Sequence, residues 1–134
     1  MKILVTGSSG QLGKTIVENK KSKNFFLLTP NRSDLDLSYE YQCINYIERN
    51  KPDFIINCGA FTNVDEAEDS YELAYKINTK APLSMAKVIQ NTGCRFLQIS
   101  TDYVFDGRKN TPYKTNDPRN PISKYGETKA YAEI

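Results

Sequence analysis

The apolar residues of this 134-residue chain fall in short runs separated by longer amphipathic stretches. KILVT (2–6) is a run of the buried-strand type, and it leads straight into a glycine-rich loop. A helix is predicted from Gln11 to about Lys20. FFLLT (25–29) forms a second strand, closed by Pro30. YEYQCINYIERN (39–50) puts Tyr41, Ile44 and Ile47 on one helical stripe, and residues 53–58 of KPDFIINCGA supply a third strand. From about Ser70 to Asn91 the spacing is helical, with Pro82 imposing a start, break or kink. RFLQIS (95–100) is a fourth strand. A Pro- and Asn-rich loop covers about 102–121, and a last helix begins near Ser123.

Strands this apolar, alternating with helices, specify a parallel sheet covered on both faces. Right-handed crossovers favour a doubly wound α/β sheet of Rossmann type, with strand order 3-2-1-4. About four strands are present, fewer than a doubly wound domain normally carries. The fourth is therefore expected to be an open edge, and a route to homo-oligomers.

Composition adds exclusions. With 39% hydrophobic and 25% charged residues the chain has the make-up of one ordinary globular domain. A net charge of +2 without a dense basic block gives no reason to expect nucleic acid; Lys20, Lys21 and Lys23 crowd together as a solvated helix end does. No apolar run approaches the roughly 18 residues of a membrane span, and the apolar start is too short for a signal peptide. Cys43, Cys58 and Cys94 are odd in number and lack metal or CxxC spacing, which suits reduced thiols in a cytoplasm. Histidine is absent, which removes Ser-His and Cys-His nucleophilic machinery and the commonest zinc ligand.

Two stretches carry candidate chemistry. VTGSSGQLG sets Gly7, Gly10 and Gly13 between a strand and a helix, as a dinucleotide pyrophosphate requires: a tight turn, a close backbone approach, and a helix packed on its strand. The helix N-terminus then offers N–H groups to phosphate. No acidic residue directly follows the second strand to hold a ribose. Arg32 stands there instead, either as a loop charge or as a partner for a 2′-phosphate, which leans toward NADPH over NADH. Asp36 and Leu37 lie where an adenine is bracketed. The second stretch begins where the fourth strand ends, in Ser100 and Thr101, and continues with Tyr125 and Lys129, four apart on one helix face. A hydroxyl, a phenol and an ammonium there are equipment for ketone reduction beside a nicotinamide. Thr101 hydrogen-bonds the carbonyl, Tyr125 donates the proton, and Lys129 holds the nicotinamide ribose while its charge favours the phenolate.

TGSSGQLG, NCGAFTNVDEAE, INTKAP, STDYVFDG and YGETK, taken together and in order, resemble the dTDP-4-dehydrorhamnose reductase family of extended short-chain dehydrogenases/reductases. The resemblance runs from Thr6 to Lys129. It implies that Gly7, Gly10, Gln11 and Leu12 lie along the pyrophosphate. Cys58, Gly59 and Ala60 let the backbone pass the cofactor, and Thr62 reaches the same groove. Asn78 counts among the cofactor-site residues and steadies the active-site helix. Thr101, Tyr125 and Lys129 match the catalytic triad, and Thr101, Tyr103, Val104 and Phe105 meet the sugar. The implied reaction is NAD(P)H-dependent reduction of the 4-keto group of dTDP-4-dehydro-L-rhamnose to dTDP-L-rhamnose. Lys14 and Thr15 stand where some members place a metal-binding glutamate, so no metal is expected. Family members carry more chain than this. Residues 1–134 are thus expected to be a truncated NAD(P)-binding domain, without the C-terminal substrate domain and with little activity alone. The alternatives are a non-catalytic NADP(H)-binding module and another nucleotide-sugar short-chain reductase or epimerase.

Overall fold

In the computed structural model, which describes residues 1–134 with the side chain of Lys20 excepted, the most buried strand lies inside the sheet. Strand β1 (Lys2–Thr6) buries Ile3, Leu4 and Val5 and pairs in parallel with β2 (Phe26–Leu28) on one side and β3 (Phe54–Asn57) on the other. Strand β4 (Arg95–Gln98) adds in parallel to β3. The order is β2-β1-β3-β4 rather than the expected 3-2-1-4. The reason lies in β2, which has three residues and leaves Phe26 64% exposed, so it can serve only as an edge. The chain leaving β2 therefore returns across β1, and the direction of winding reverses between β1 and β3. That reversal is where open α/β sheets bind ligands.

Helix α1 (Gln11–Glu18) stops short of Lys20, and a 3-10 turn (Lys20–Asn24) follows, capped by Asn19. Helix α2 (Glu40–Asn50) faces the core through Cys43 and Ile47, four apart. Tyr41, expected on that stripe, is exposed. Between β3 and β4 the chain forms α3 (Val64–Asp69), α4 (Tyr71–Tyr75), a π turn (Lys76–Lys80) and α5 (Ala81–Ile89). Pro82 sits in the first turn of α5. The widened turn before it lets the helix continue past a residue that has no N–H to give. The main core joins Leu4 and Ile55 of the sheet to Cys43 and Ile47 of α2 and to Ala81, Met85 and Ile89 of α5.

Helix α6 (Lys124–Tyr131) packs on α3 and α4 through a second cluster of Ala67, Ala74 and Tyr125. Strand β4 is the open edge: Phe96 packs inward, while Leu97 is 45% exposed. Among the described residues no helix is long and apolar enough to cross a membrane, and the three cysteines are free thiols.

Candidate functional site

Where β1 ends, Gly7 takes φ +60°, a left-handed conformation that side chains disfavour. A Cβ there would stand 2.6 Å from the backbone nitrogen of Gly59. The loops after β1 and β3 therefore cross at backbone contact, with the Gly59 N–H donating to Thr6 Oγ1 at 3.2 Å. Above this crossing runs a groove of about 530 Å³. Gly7, Gly10, Gln11, Leu12 and Gly13 line one wall, and Cys58, Gly59, Ala60 and Thr62 form its floor. No side chain caps Gly10 at the start of α1, so the first-turn N–H groups stay available to an anion. Burial pushes the Cys58 thiol above its ordinary value, so it lines the groove as a neutral group.

The groove continues past Gly7 and Gly59 into a side cavity of about 200 Å³, lined by Arg32, Asp36 and Leu37. Asn31 shapes this loop by accepting from the backbone N–H groups of Ser33 and Asp34, which leaves Arg32 at the tip. Arg32 Nε meets the Asp36 carboxylate at 3.2 Å. Burial raises the Asp36 carboxyl, but hydrogen bonds from Ser38 and the Arg32 guanidinium outweigh it and hold the group below its usual range.

Tyr125 and Lys129 reach the groove because α6 is fixed along its length. Ser123 caps the helix by accepting the Gly126 N–H at 3.1 Å, and Glu68 of α3 accepts the Lys124 N–H at 2.8 Å. Tyr71 of α4 donates to Glu127 at 3.0 Å. Burial and then that carboxylate push the Tyr71 phenol up to about 12. Gly126 lies against the Tyr103 carbonyl, where a Cβ does not fit. The Tyr125 ring is 9% exposed and meets Tyr103 edge-on at 5.5 Å. Its hydroxyl has no protein partner among the described residues and is not buried, so it opens into the groove. Lys129 is 3% exposed, and its ammonium donates to the Ile99 carbonyl at 2.6 Å. Burial holds Lys129 below the ordinary lysine value, with Glu133 pulling the other way.

Other expected residues stand elsewhere. Asn78, anticipated among the cofactor residues, is fully buried in the π turn with both ends of its amide engaged. It accepts from the Phe61 N–H at 2.8 Å and donates to the Phe61 carbonyl and Thr128, which leaves it the steadying role alone. Thr101 does not line the groove, whereas its neighbour Ser100 does. The Thr101 hydroxyl caps the 3-10 turn Asp102–Val104 by accepting the Tyr103 N–H at 3.2 Å. Tyr103 and Phe105 line a separate cavity of about 360 Å³ with Tyr113 and Ile122, but Val104 is buried beneath it and forms no wall. That cavity borders an ordered loop. Asp106 accepts from Tyr113 Oη at 2.7 Å, the Arg108 N–H at 3.1 Å and Asn120 at 3.0 Å, and Phe105 stacks on Tyr113 at 4.2 Å. These donors, Tyr113 foremost, hold the Asp106 carboxyl at about 2.

Sequence reasoning named Ser100 beside Thr101 at the strand end but gave the carbonyl contact to Thr101, and it missed Ser9 and Ile99 in the groove and Glu68 behind it. For Ser9 and Ile99 the signal was adjacency to motif residues. For Glu68 the signal was its place in NCGAFTNVDEAE, which does not tell what its carboxylate reaches. Among the described residues no acidic or thiol cluster is arranged to hold a metal ion.

A family model described as the RmlD substrate binding domain matches residues 1–134. A dTDP-4-dehydrorhamnose reductase of Aggregatibacter actinomycetemcomitans is 36% identical over 98% of this chain and 45% of its own length. The crystal structure of a dTDP-4-dehydrorhamnose reductase from Clostridium acetobutylicum superposes with a TM-score of 0.93 at 43% identity, over 99% of this chain and 48% of that one. A Bacillus anthracis dTDP-4-dehydrorhamnose reductase, solved in complex with NADP, gives 0.92 at 33% identity, over 98% of this chain and 47% of its own. The chain spans less than half the length of the curated relatives it matches.

Proposed function

Because the chain belongs to the RmlD substrate binding domain family, we propose that it is the dinucleotide-binding portion of an NADPH-dependent dTDP-4-dehydrorhamnose reductase. Residues 1–134 on this reading form the NAD(P)-binding domain, and most contacts to the dTDP sugar belong to the length of the relatives that this chain does not span. One observation carries the reading. Tyr125 and Lys129 line the same groove that the Gly7–Gly59 crossing floors.

The residues fit a dinucleotide. The crossing at Gly7 and Gly59 is the kind of close backbone approach a pyrophosphate uses, and the uncapped start of α1 offers N–H donors beside it. Arg32 at the tip of its loop suits a 2′-phosphate and favours NADPH over NADH; the side cavity with Asp36 and Leu37 takes the adenosine end. The bound nicotinamide supplies hydride to the sugar ketone. Tyr125 supplies the proton to the ketone oxygen, Lys129 anchors the neighbouring ribose, and Thr101 or the adjacent Ser100 hydrogen-bonds the carbonyl. Tyr103, edge-on to Tyr125, keeps the phenol aimed and forms the wall nearest the sugar.

NADPH and NADH titrations by calorimetry test the binding half, with tighter NADPH binding expected and Arg32→Ala narrowing the difference. Turnover of dTDP-4-dehydro-L-rhamnose is expected to be slow with this chain alone. It is expected to rise when the chain is fused to the C-terminal half of a related reductase, since orientation of the ketone supplies much of the rate. In the fusion, Tyr125→Phe should abolish turnover with NADPH affinity retained. Unchanged activity in that variant removes Tyr125 as the acid. Binding of NADPH without turnover in the fusion favours the non-catalytic module.

A further inference from the structure

Beneath the groove, three polar side chains end their strands at one level of the sheet. Thr6, Asn57 and Gln98 end β1, β3 and β4 and are register partners, Thr6 opposite Asn57 and Asn57 opposite Gln98. Thr6 and Asn57 are each 1% exposed. Polar groups that deep need partners, and here the partners are one another. The Gly59 N–H donates to Thr6 Oγ1, Thr6 Oγ1 donates to Asn57 Oδ1, and Asn57 Nδ2 donates to Gln98 Oε1 at 2.7 Å. Gln98 Nε2 then donates to the Ile99 carbonyl at 2.9 Å, and that oxygen is the one on which the Lys129 ammonium rests at 2.6 Å. The four links from the glycine crossing to the Ile99 carbonyl all point the same way, and Lys129 meets them there as a second donor to that oxygen.

We infer that Thr6, Asn57 and Gln98 are positioning residues that fix the Ile99 carbonyl, and through it the Lys129 ammonium, relative to the Gly7–Gly59 crossing. None of the three lines the groove. Lys129 is a long side chain whose only protein hydrogen bond among the described residues is to Ile99 O, so the orientation of one carbonyl sets the position of its charge. That carbonyl lies past the end of the open-edge strand, where no further strand among the described residues holds it. The side-chain ladder replaces the missing backbone anchor, and like-oriented links in a buried chain strengthen one another. One end of the ladder is the pyrophosphate floor and the other is the ribose-holding lysine, so it sets the spacing between two subsites of one ligand. The inference deepens the dinucleotide reading and rests on it for the role of Lys129.

The experiment is a double-mutant cycle on the chain itself, followed by NMR titration of the Lys129 ε-carbon, which needs neither cofactor nor turnover. Gln98→Met removes the donor to Ile99 and keeps the volume. Thr6→Val breaks the ladder two strands away, roughly 10 Å from Gln98. Each is expected to lower the Lys129 titration midpoint by on the order of one pH unit, because the buried ammonium loses its fixed acceptor. The double variant should fall no further than either single one, and Thr6→Ser, which keeps the hydroxyl, should match the wild type. NADPH affinity should drop about tenfold in Gln98→Met. A Lys129 midpoint unmoved by Gln98→Met overturns the inference. So does additivity in the double variant, or an inert Thr6→Val beside an active Gln98→Met. Gln98 is half-buried on an edge strand, so its variant keeps the test decisive even if Thr6→Val fails to fold. Failure of the wild-type chain to bind NADPH overturns the functional reading and leaves the titration result to stand separately.

Discussion

Lys129 illustrates how a single residue trades stability for position. Its ammonium is held on one carbonyl in a site where burial favours the neutral amine. The folded value lies below the unfolded one, so the unfolded chain binds the extra proton between them, and stability contributed by this group rises with pH through that window. At neutral pH the burial penalty is present in full. Lys129→Met is therefore expected to stabilise the chain by about 1 kcal/mol at neutral pH. It should also flatten the rise seen in urea denaturation as pH climbs toward the ordinary lysine value. Ile99 O keeps its Gln98 donor in that variant, so no orphan carbonyl offsets the gain. Gly7 is the converse case, where even a methyl group is too much. With φ +60° and no room beside Gly59, Gly7→Ala should lower the urea midpoint by the equivalent of about 2 kcal/mol and weaken NADPH binding more than tenfold.

At the scale of elements, the site depends on how α6 is moored. Its N-terminus is tied to α3 by Glu68, its middle to the π turn by Asn78 and Thr79, and its underside rests on Ala67. The motif VDEAE thereby acquires a physical meaning: an alanine small enough to lie under Tyr125, followed by the glutamate that reaches the Lys124 amide. Glu68→Ala should speed hydrogen exchange at the Lys124 amide well above any change at Gly126, which Ser123 still holds. Elements with a strong local signal were readable from sequence. The run KILVT coincides with β1, and Ser123 caps α6 next to the expected start. Elements set by their neighbours were not. Helix α3 is six residues of charged surface with one buried alanine, too little for a periodic pattern, and a π turn has no periodicity of its own. Tyr41 fell off its stripe because Cys43, small and easily overlooked, took the buried position.

For the whole molecule, the decisive fact is the path of the chain across the sheet. Apolar runs reveal that strands exist but not which lie side by side. The order β2-β1-β3-β4 follows from the shortness of β2, which pattern alone overstated. The candidate site shows the same division. The glycine loop, the Cys58–Thr62 segment, Tyr125 and Lys129 were legible because motif residues sit at strand and helix ends, and folding brings them to one groove. The parting of Thr101 and Ser100 was not legible, since it turns on a two-residue change of direction at the cap of a short turn. The open β4 edge also has consequences for behaviour in solution. Leu97 on an exposed strand should promote self-association, and Leu97→Lys should shift sedimentation velocity profiles toward the monomer without lowering the urea midpoint.

The loop gathered around Asp106 bears on timing. Its carboxyl stays ionised far below neutral pH and receives three donors, so the aromatic wall of Tyr103, Phe105 and Tyr113 stands before any ligand arrives. A wall that needs no ordering step leaves encounter as the slow event. On the reductase reading, and in the fusion to the C-terminal half of a related reductase, stopped-flow association of a sugar nucleotide should then show a rate that climbs linearly with concentration and never reaches a plateau. Asp106→Asn, which weakens the donors' hold, should introduce that plateau.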